Sequence, residues 1–185
     1  MISEATTDAE RRAVQELFQA CFVDISPSAV PMTSADHLYA PIVAQYVDDA
    51  GRLVGAALTC RAQVAVTTAT AAAMGLPDTG YRSVLDKHSE LDLMAVLPDA
   101  RGQGIGGRLV AYLEDRLRDR GVRVWFGNAT ADLEVARLRE FYARHGFTVL
   151  PDGQPLPPLL GKARWSMPTA ERPTFYFYKN LPKIH

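Results

Sequence analysis

Four glycines in six residues, Gly102, Gly104, Gly106 and Gly107, stand directly before a run with helical periodicity. Glycine removes the side chains that would keep a ligand's phosphates from backbone N–H groups, and the unpaired N–H groups of a helix's first turn attract an anion. This stretch predicts a phosphate-binding turn. Just upstream, Glu90 and Asp92 alternate with Leu91 and Leu93. In a strand that spacing sets both carboxylates on one face, together with Met94 and Val96. Carboxylates so placed beside a ligand can accept a proton or hold a cation.

Two familiar phosphate-binding patterns are excluded or weakened. A nucleoside triphosphate loop needs Lys-Ser or Lys-Thr after its last glycine, and neither follows any glycine here. Gly102, Gly104 and Gly107 do satisfy G-x-G-x-x-G, which raises a dinucleotide-binding oxidoreductase. That fold needs a second mononucleotide half and an acidic residue at the end of the next strand. Only residues 108 to 185 remain, and the next strand ends at Asn128, so the dinucleotide reading is the weaker one.

The elements that must carry these groups follow from periodicity. Glu90–Leu97 reads as a strand and Gly104–Arg120 as a helix burying Leu109, Val110, Leu113 and Leu117, with Gly121 as its stop. Val122–Gly127 is a short buried strand. Ala131–His145 is a second helix with Leu133, Ala136, Leu138 and Phe141 on its apolar side, and Phe147–Leu150 begins another strand. Towards the N-terminus, Thr7-Asp8-Ala9-Glu10 is a capping box opening a helix over 8–22. A loop containing Pro27 and Pro31 leads to a short helix that must stop before Pro41. Ile42–Asp48 and Leu53–Val66 form a hairpin. Residues 67–88 lack periodicity and read either as a long functional loop or as a disordered insertion. Residues 151–158 are a proline-rich loop, Trp165–Met167 a brief strand or a lid, and Phe175–Tyr178 the last strand; a first strand at 1–5 is weakly supported. The order β, α, α, β, β, β, α, β, α, β, β gives an α/β fold with a mixed sheet and helices on both faces, in one domain spanning 1–185.

Composition narrows the partners. The 185 residues are 48% apolar, enough for one core, with a net charge of −1. The isoelectric point near 6.4 gives no electrostatic case for nucleic acid or an anionic membrane. The acidic start MISEATTDAERR resembles no targeting peptide, and no stretch approaches about 18 apolar residues, so a cytoplasmic protein is expected. Cys21 and Cys60 sit in apolar surroundings and receive no role. The four histidines lack ligand spacing, and no metal is expected.

Arg101-Gly102-Gln103-Gly104-Ile105-Gly106 fits the Gln/Arg-x-x-Gly-x-Gly/Ala pattern, and in this setting it resembles the GNAT superfamily of N-acetyltransferases. Leu93–Pro98 resembles that family's fourth strand and Phe141–Phe147 the end of its fourth helix; the three blocks lie in family order. The resemblance implies a mostly antiparallel mixed sheet of six to seven strands and acetyl-CoA as co-substrate. Its pyrophosphate would be held by backbone N–H groups around Gln103, Gly104, Ile105, Gly106 and Gly107, with Arg101 and Gly102 also among the cofactor-binding residues. Its pantetheine arm would meet the backbone of Met94, Ala95 and Val96. The acceptor would be a primary amine of a small molecule or peptide, and a homodimer is left open.

The implied reaction is direct attack of the amine on the acetyl thioester. Positioning supplies most of the catalysis, but an alkylamine with a pKa of about 10.4 arrives protonated and needs a base. The resemblance points to Asp92, to Glu90 acting through water, or to water alone. It gives Tyr142 the role of protonating the departing thiolate, with Phe141 as the buried neighbour and Tyr142 turned to a cleft. A cofactor-contacting asparagine common in relatives is Val135 here, and Asn128 stands in for it. The competing reading in another class is an acyl-CoA-binding sensor without turnover.

Overall fold

The computed structural model describes residues 1–62, 86–130, 134–157 and 174–182. Seven strands form one sheet in the order β1-β2-β3-β4-β5-β7-β6. They are β1 (Ile2–Glu4), β2 (Ile42–Val47), β3 (Leu53–Arg61), β4 (His88–Val96), β5 (Val124–Thr130), β6 (Thr148–Val149) and β7 (Thr174–Asn180). The helices are α1 (Asp8–Cys21), α2 (Asp36–Tyr39), α3 (Ile105–Asp119) and α4 (Val135–Arg144). Most neighbouring strands run antiparallel, while β4 and β5 run parallel. The expected excursion and the Trp165–Met167 segment lie largely or wholly outside the described residues, as does the start of the expected 131–145 helix.

Local chemistry accounts for the helix ends. At α1 the Thr7 side chain accepts from the Glu10 amide while Glu10 returns a bond to the Thr7 amide, so the expected capping box is formed. After Tyr39 the chain turns through Ala40 in the left-handed region, with Pro41 barring another helical turn.

The sheet buries both faces. On one, α3 and α4 pack Leu109, Leu113, Leu117 and Tyr142 against Leu91, Trp125 and Phe177. On the other, α1 packs Val14 and Phe18 against Val43, Leu58, Cys60 and Ala95. Among the described residues no helix is long and apolar enough to cross a membrane.

Candidate active site

Strands β4 and β5 stay together for four residue pairs, His88–Leu91 against Val124–Gly127. Beyond that point each follows its other neighbour. Leu93–Val96 continues on β3 and Asn128–Thr130 continues on β7. The sheet therefore opens into a fork, and over 92–96 the edge of β4 that faces β5 has no strand partner among the described residues. Backbone N–H and C=O groups need partners when water is excluded, so this edge suits a ligand that presents amides. Gly127 marks the apex. A Cβ there would meet the Phe177 ring at 2.7 Å and the Leu91 carbonyl at 2.9 Å.

The glycine turn lies beside the fork on the α3–α4 side. Gly102 (φ +81) and Gly104 (φ +75) are left-handed, with open space where a side chain would be. Gly104 caps α3 without a side-chain hydrogen bond, and the first helical closure is Arg108 N–H to Gly104 O at 3.1 Å. The N–H groups of Ile105, Gly106 and Gly107 are thus first-turn donors without intrahelical partners. Gly106 and Gly107 also serve another purpose. A Cβ on Gly106 would touch the Phe141 ring at 3.4 Å, and one on Gly107 would collide with the His145 imidazole at 2.7 Å. Two of the four glycines therefore let α4 lie on the first turn of α3. Arg101 turns back, its Nε donating to Val96 O at 3.1 Å, which ties the turn to the end of β4. Gln103 is exposed.

The carboxylates require a correction. Thr59 pairs with Leu91 but Leu58 pairs with Leu93, so Asp92 is the extra residue of a β-bulge. The bulge breaks the alternation. Leu91, Met94 and Val96 pack on the α3 side, whereas Leu93 and Ala95 pack on the α1 side. Glu90 pairs with Cys60, whose side chain belongs to the α1-side core. Glu90 and Asp92 do gather, but around Cys60 on the α1 face and not with Met94 and Val96. The Asp92 side chain is exposed at the surface. Even so, the protein packed around the bulge raises its carboxyl above the ordinary value, opposed by a hydrogen bond with the Cys60 thiol. Burial pushes the Cys60 thiol well up, and the Asp92 and Glu90 charges push it further.

Tyr142 also departs from expectation. It is the buried member of the Phe141–Tyr142 pair, 6% exposed, while Phe141 is half-buried. Its ring stacks on Phe177 with centroids 3.7 Å apart and meets Phe147 edge-on at 5.7 Å. Because Phe177 covers Gly127, Tyr142 sits over the apex of the fork. Burial raises its phenol well above the usual tyrosine value, so the hydroxyl keeps its proton. Asn128, exposed and one residue beyond the apex, pairs with Tyr176. Tyr176 packs with Phe126 in a core separate from that of α3 and α4, which sets Asn128 on the face opposite the glycine turn. Val135 packs against the main core.

Sequence reasoning missed Gly55, Gly127 and Phe177. A glycine inside a strand pattern signals close approach, and both glycines fit that rule: a Cβ on Gly55 would meet Ile105 at 2.9 Å.

The model of the acetyltransferase (GNAT) domain matches residues 46–149. Among curated proteins none matches. A GNAT-family acetyltransferase from Staphylococcus aureus Mu50 is 16% identical with a TM-score of 0.64, covering 98% of this chain and 99% of its own. The ribosomal-protein-alanine N-acetyltransferase of Brucella melitensis is 20% identical with a TM-score of 0.61, over 98% and 99% of the two chains. A phosphinothricin acetyltransferase from Sinorhizobium meliloti, solved with acetyl-CoA, is 16% identical with a TM-score of 0.65, over 98% and 88%. At these identities the solved structures speak to the fold.

Proposed function

The chain belongs to the GNAT family of acetyltransferases, and on that premise we propose that its β4–β5 fork carries acetyl-CoA for transfer of the acetyl group to an amine. The observation that carries this reading is the fork beside an uncapped helix N-terminus. The residues fit the cofactor. The free first-turn N–H groups of Ile105, Gly106 and Gly107, with Gly102 and Gly104 leaving space in front of them, suit the pyrophosphate. The unpaired edge of β4 at Met94, Ala95 and Val96 suits the amides of the pantetheine arm. Asn128, on the far side of the fork, faces the acceptor in this reading.

Acetyl-CoA supplies an acetyl thioester at the end of a long arm. With the phosphates on the α3–α4 side, the fork leads the thioester through the sheet to the α1 face, where Glu90 and Asp92 gather. The acceptor enters there. Asp92, its carboxyl made more basic by the protein packed around the bulge, takes the amine's proton, with Glu90 behind it. As the amine nitrogen bonds to the carbonyl carbon and the carbon–sulfur bond breaks, Tyr142 at the apex gives its proton to the sulfur and regains one from the second proton that the nitrogen sheds, relayed by water.

Thermal denaturation tests the site. Acetyl-CoA at 100 times its dissociation constant should stabilise the fold by about 2.7 kcal/mol, and NAD should not. Stabilisation by NAD alone would overturn the reading.

A further inference from the structure

Two hydroxyls are buried where β3, β4 and β5 lie side by side, just ahead of the bulge at Asp92. Thr59 is fully buried and Ser89 nearly so. They stand diagonally across the Cys60–Glu90 pair, since Thr59 pairs with Leu91 and Ser89 with Arg61. Each reaches to the opposite strand. Thr59 Oγ1 donates to Glu90 O at 2.6 Å, Ser89 Oγ donates to Cys60 O at 2.8 Å, and the two hydroxyl oxygens are 2.8 Å apart. From the other edge of β4 comes Trp125, fully buried and paired with Ser89, whose indole N–H donates to Thr59 Oγ1 at 3.1 Å. One threonine oxygen thus ties three strands together.

That oxygen is hard to replace. Trp125 offers only a donor, and a buried donor left without a partner is more costly than its bond is favourable, so an acceptor must stand where Thr59 Oγ1 stands. Strand propensity alone asks for no hydroxyl here, because valine suits a strand as well as threonine does. A valine methyl would also face Glu90 O across 2.6 Å, inside the usual carbon–oxygen contact of about 3.3–3.6 Å. What the hydroxyl adds is register. A strand slipped by one residue turns every side chain to the opposite face, and the bulge between the Thr59–Leu91 and Leu58–Leu93 pairs is such a slip built in at one point. The clamp across Cys60 and Glu90 fixes the pairing immediately before it, and Asp92 is the residue left over. Its carboxyl thereby comes to lie with Glu90 beside the Cys60 thiol.

We propose that Thr59 is a positioning residue for acetyl transfer: its hydroxyl, shared between Trp125 and the Glu90 carbonyl, holds the bulged register of β4 that places the Asp92 carboxylate. This role rests on transfer at the fork with Asp92 as the base, and it names the group that sets that base in place. Thr59 touches neither reactant and acts through the backbone of β4.

Thr59→Val removes the hydroxyl at nearly constant volume, and Thr59→Ser restores it. Two readouts are taken on folded protein well below its Tm. One is kcat and KM for free-thiol release from acetyl-CoA with a panel of primary amines. The other is the titration of the Asp92 carboxyl by carbon-13 NMR, assigned by its loss in Asp92→Asn. In the parent this carboxyl titrates above the ordinary aspartate value. Thr59→Val should return the titration toward the ordinary value and lower kcat about tenfold or more, with acetyl-CoA affinity within severalfold of the parent's. Thr59→Ser should stay near the parent in all three. A hydroxyl that only stabilises the fold would lower Tm and leave titration and kcat in place, and that result in Thr59→Val overturns the proposal, as does a loss that Thr59→Ser shares. If Thr59→Val does not fold, Ser89→Ala decides. It keeps the acceptor for Trp125 but removes the bond to Cys60 O, and it should move titration and kcat in the same direction; parental values overturn the proposal. Turnover that falls in Asp92→Asn but not in Thr59→Val sinks the role of Thr59 alone. Full turnover in Asp92→Asn, or no thiol release with any amine, instead fails the underlying reading and the proposal with it.

Discussion

The Tyr142 ring lies flat on Phe177, its centroid 3.7 Å away and the two planes 14° from parallel. Phe177 in turn fills the space where Gly127 lacks a side chain, and Gly127 backs onto the Leu91 carbonyl. A residue of α4 is thereby fixed over the last residue pair that joins β4 to β5. The stack gives the buried Tyr142 ring a structural role beside the apex of the fork.

Tyr142→Phe should keep that stack and so keep Tm near the parent's value. If the hydroxyl protonates the leaving thiolate, kcat should fall roughly ten- to a hundredfold, since a thiolate with a conjugate acid near pKa 8.5 leaves tolerably unaided. The affinity for acetyl-CoA should be unchanged. Full kcat with chemistry rate-limiting would leave Tyr142 with a packing role alone. The phenol stays protonated well beyond the usual tyrosine range, so no loss of activity near pH 10 should trace to its ionisation.

Gly127→Ala places a methyl group against a backbone carbonyl and a buried ring. Neither yields without prying β4 from β5, and a destabilisation of about 1–3 kcal/mol is expected. Chemical denaturation of the purified variant measures it; parental stability would mean that the apex is looser than the 2.9 Å approach to Leu91 O implies.

Gly104 separates conformation from charge. Asn and Asp both tolerate a positive φ better than other residues, and the space around this position is open. Gly104→Asn should bind acetyl-CoA within severalfold of the parent. Gly104→Asp should lose binding, because its carboxylate confronts the pyrophosphate at the uncapped helix start. A calorimetric titration showing equal affinity for the two would remove the phosphate from this turn.

Asp92 makes a prediction about stability against pH. Its folded pKa is raised above the unfolded value of about 3.8, so the native state holds this proton more tightly than the unfolded chain. The ionised carboxylate therefore costs stability at neutral pH, and the cost vanishes as pH falls below the unfolded value. Asp92→Asn should raise Tm at pH 7 and lose that advantage toward pH 3.5, while turnover falls by roughly 10² if Asp92 is the base. A variant less stable than the parent at pH 7 would contradict the direction of the shift.

Much of this architecture was legible in the chain. The order of elements, the capping box at Thr7 and the stops at Pro41 and Gly121 depend on local chemistry, which a single sequence displays. The faces of β4 were not legible beyond Leu91, because the bulge at Asp92 arises from its register against Leu58 and Thr59. Nothing within β4 announces it. The exchange of Phe141 and Tyr142 has a similar origin. Adjacent helical residues point about 100° apart, and what buries Tyr142 is Phe177, supplied by a strand more than thirty residues downstream. The glycine turn was read correctly as a helix start, but the need for Gly106 and Gly107 comes from Phe141 and His145. That demand becomes visible only when α4 is laid on α3.

Acetyl transfer from acetyl-CoA to an amine yields two products, free thiol and N-acetylated amine. The most direct test follows both together, with purified protein, acetyl-CoA and a panel of primary amines. The two products should form in equal amounts, both should require the amine, and both should be lost in Gly104→Asp. Tight binding of acetyl-CoA with no thiol released for any primary amine offered would contradict it and leave an acyl-CoA-binding module without turnover.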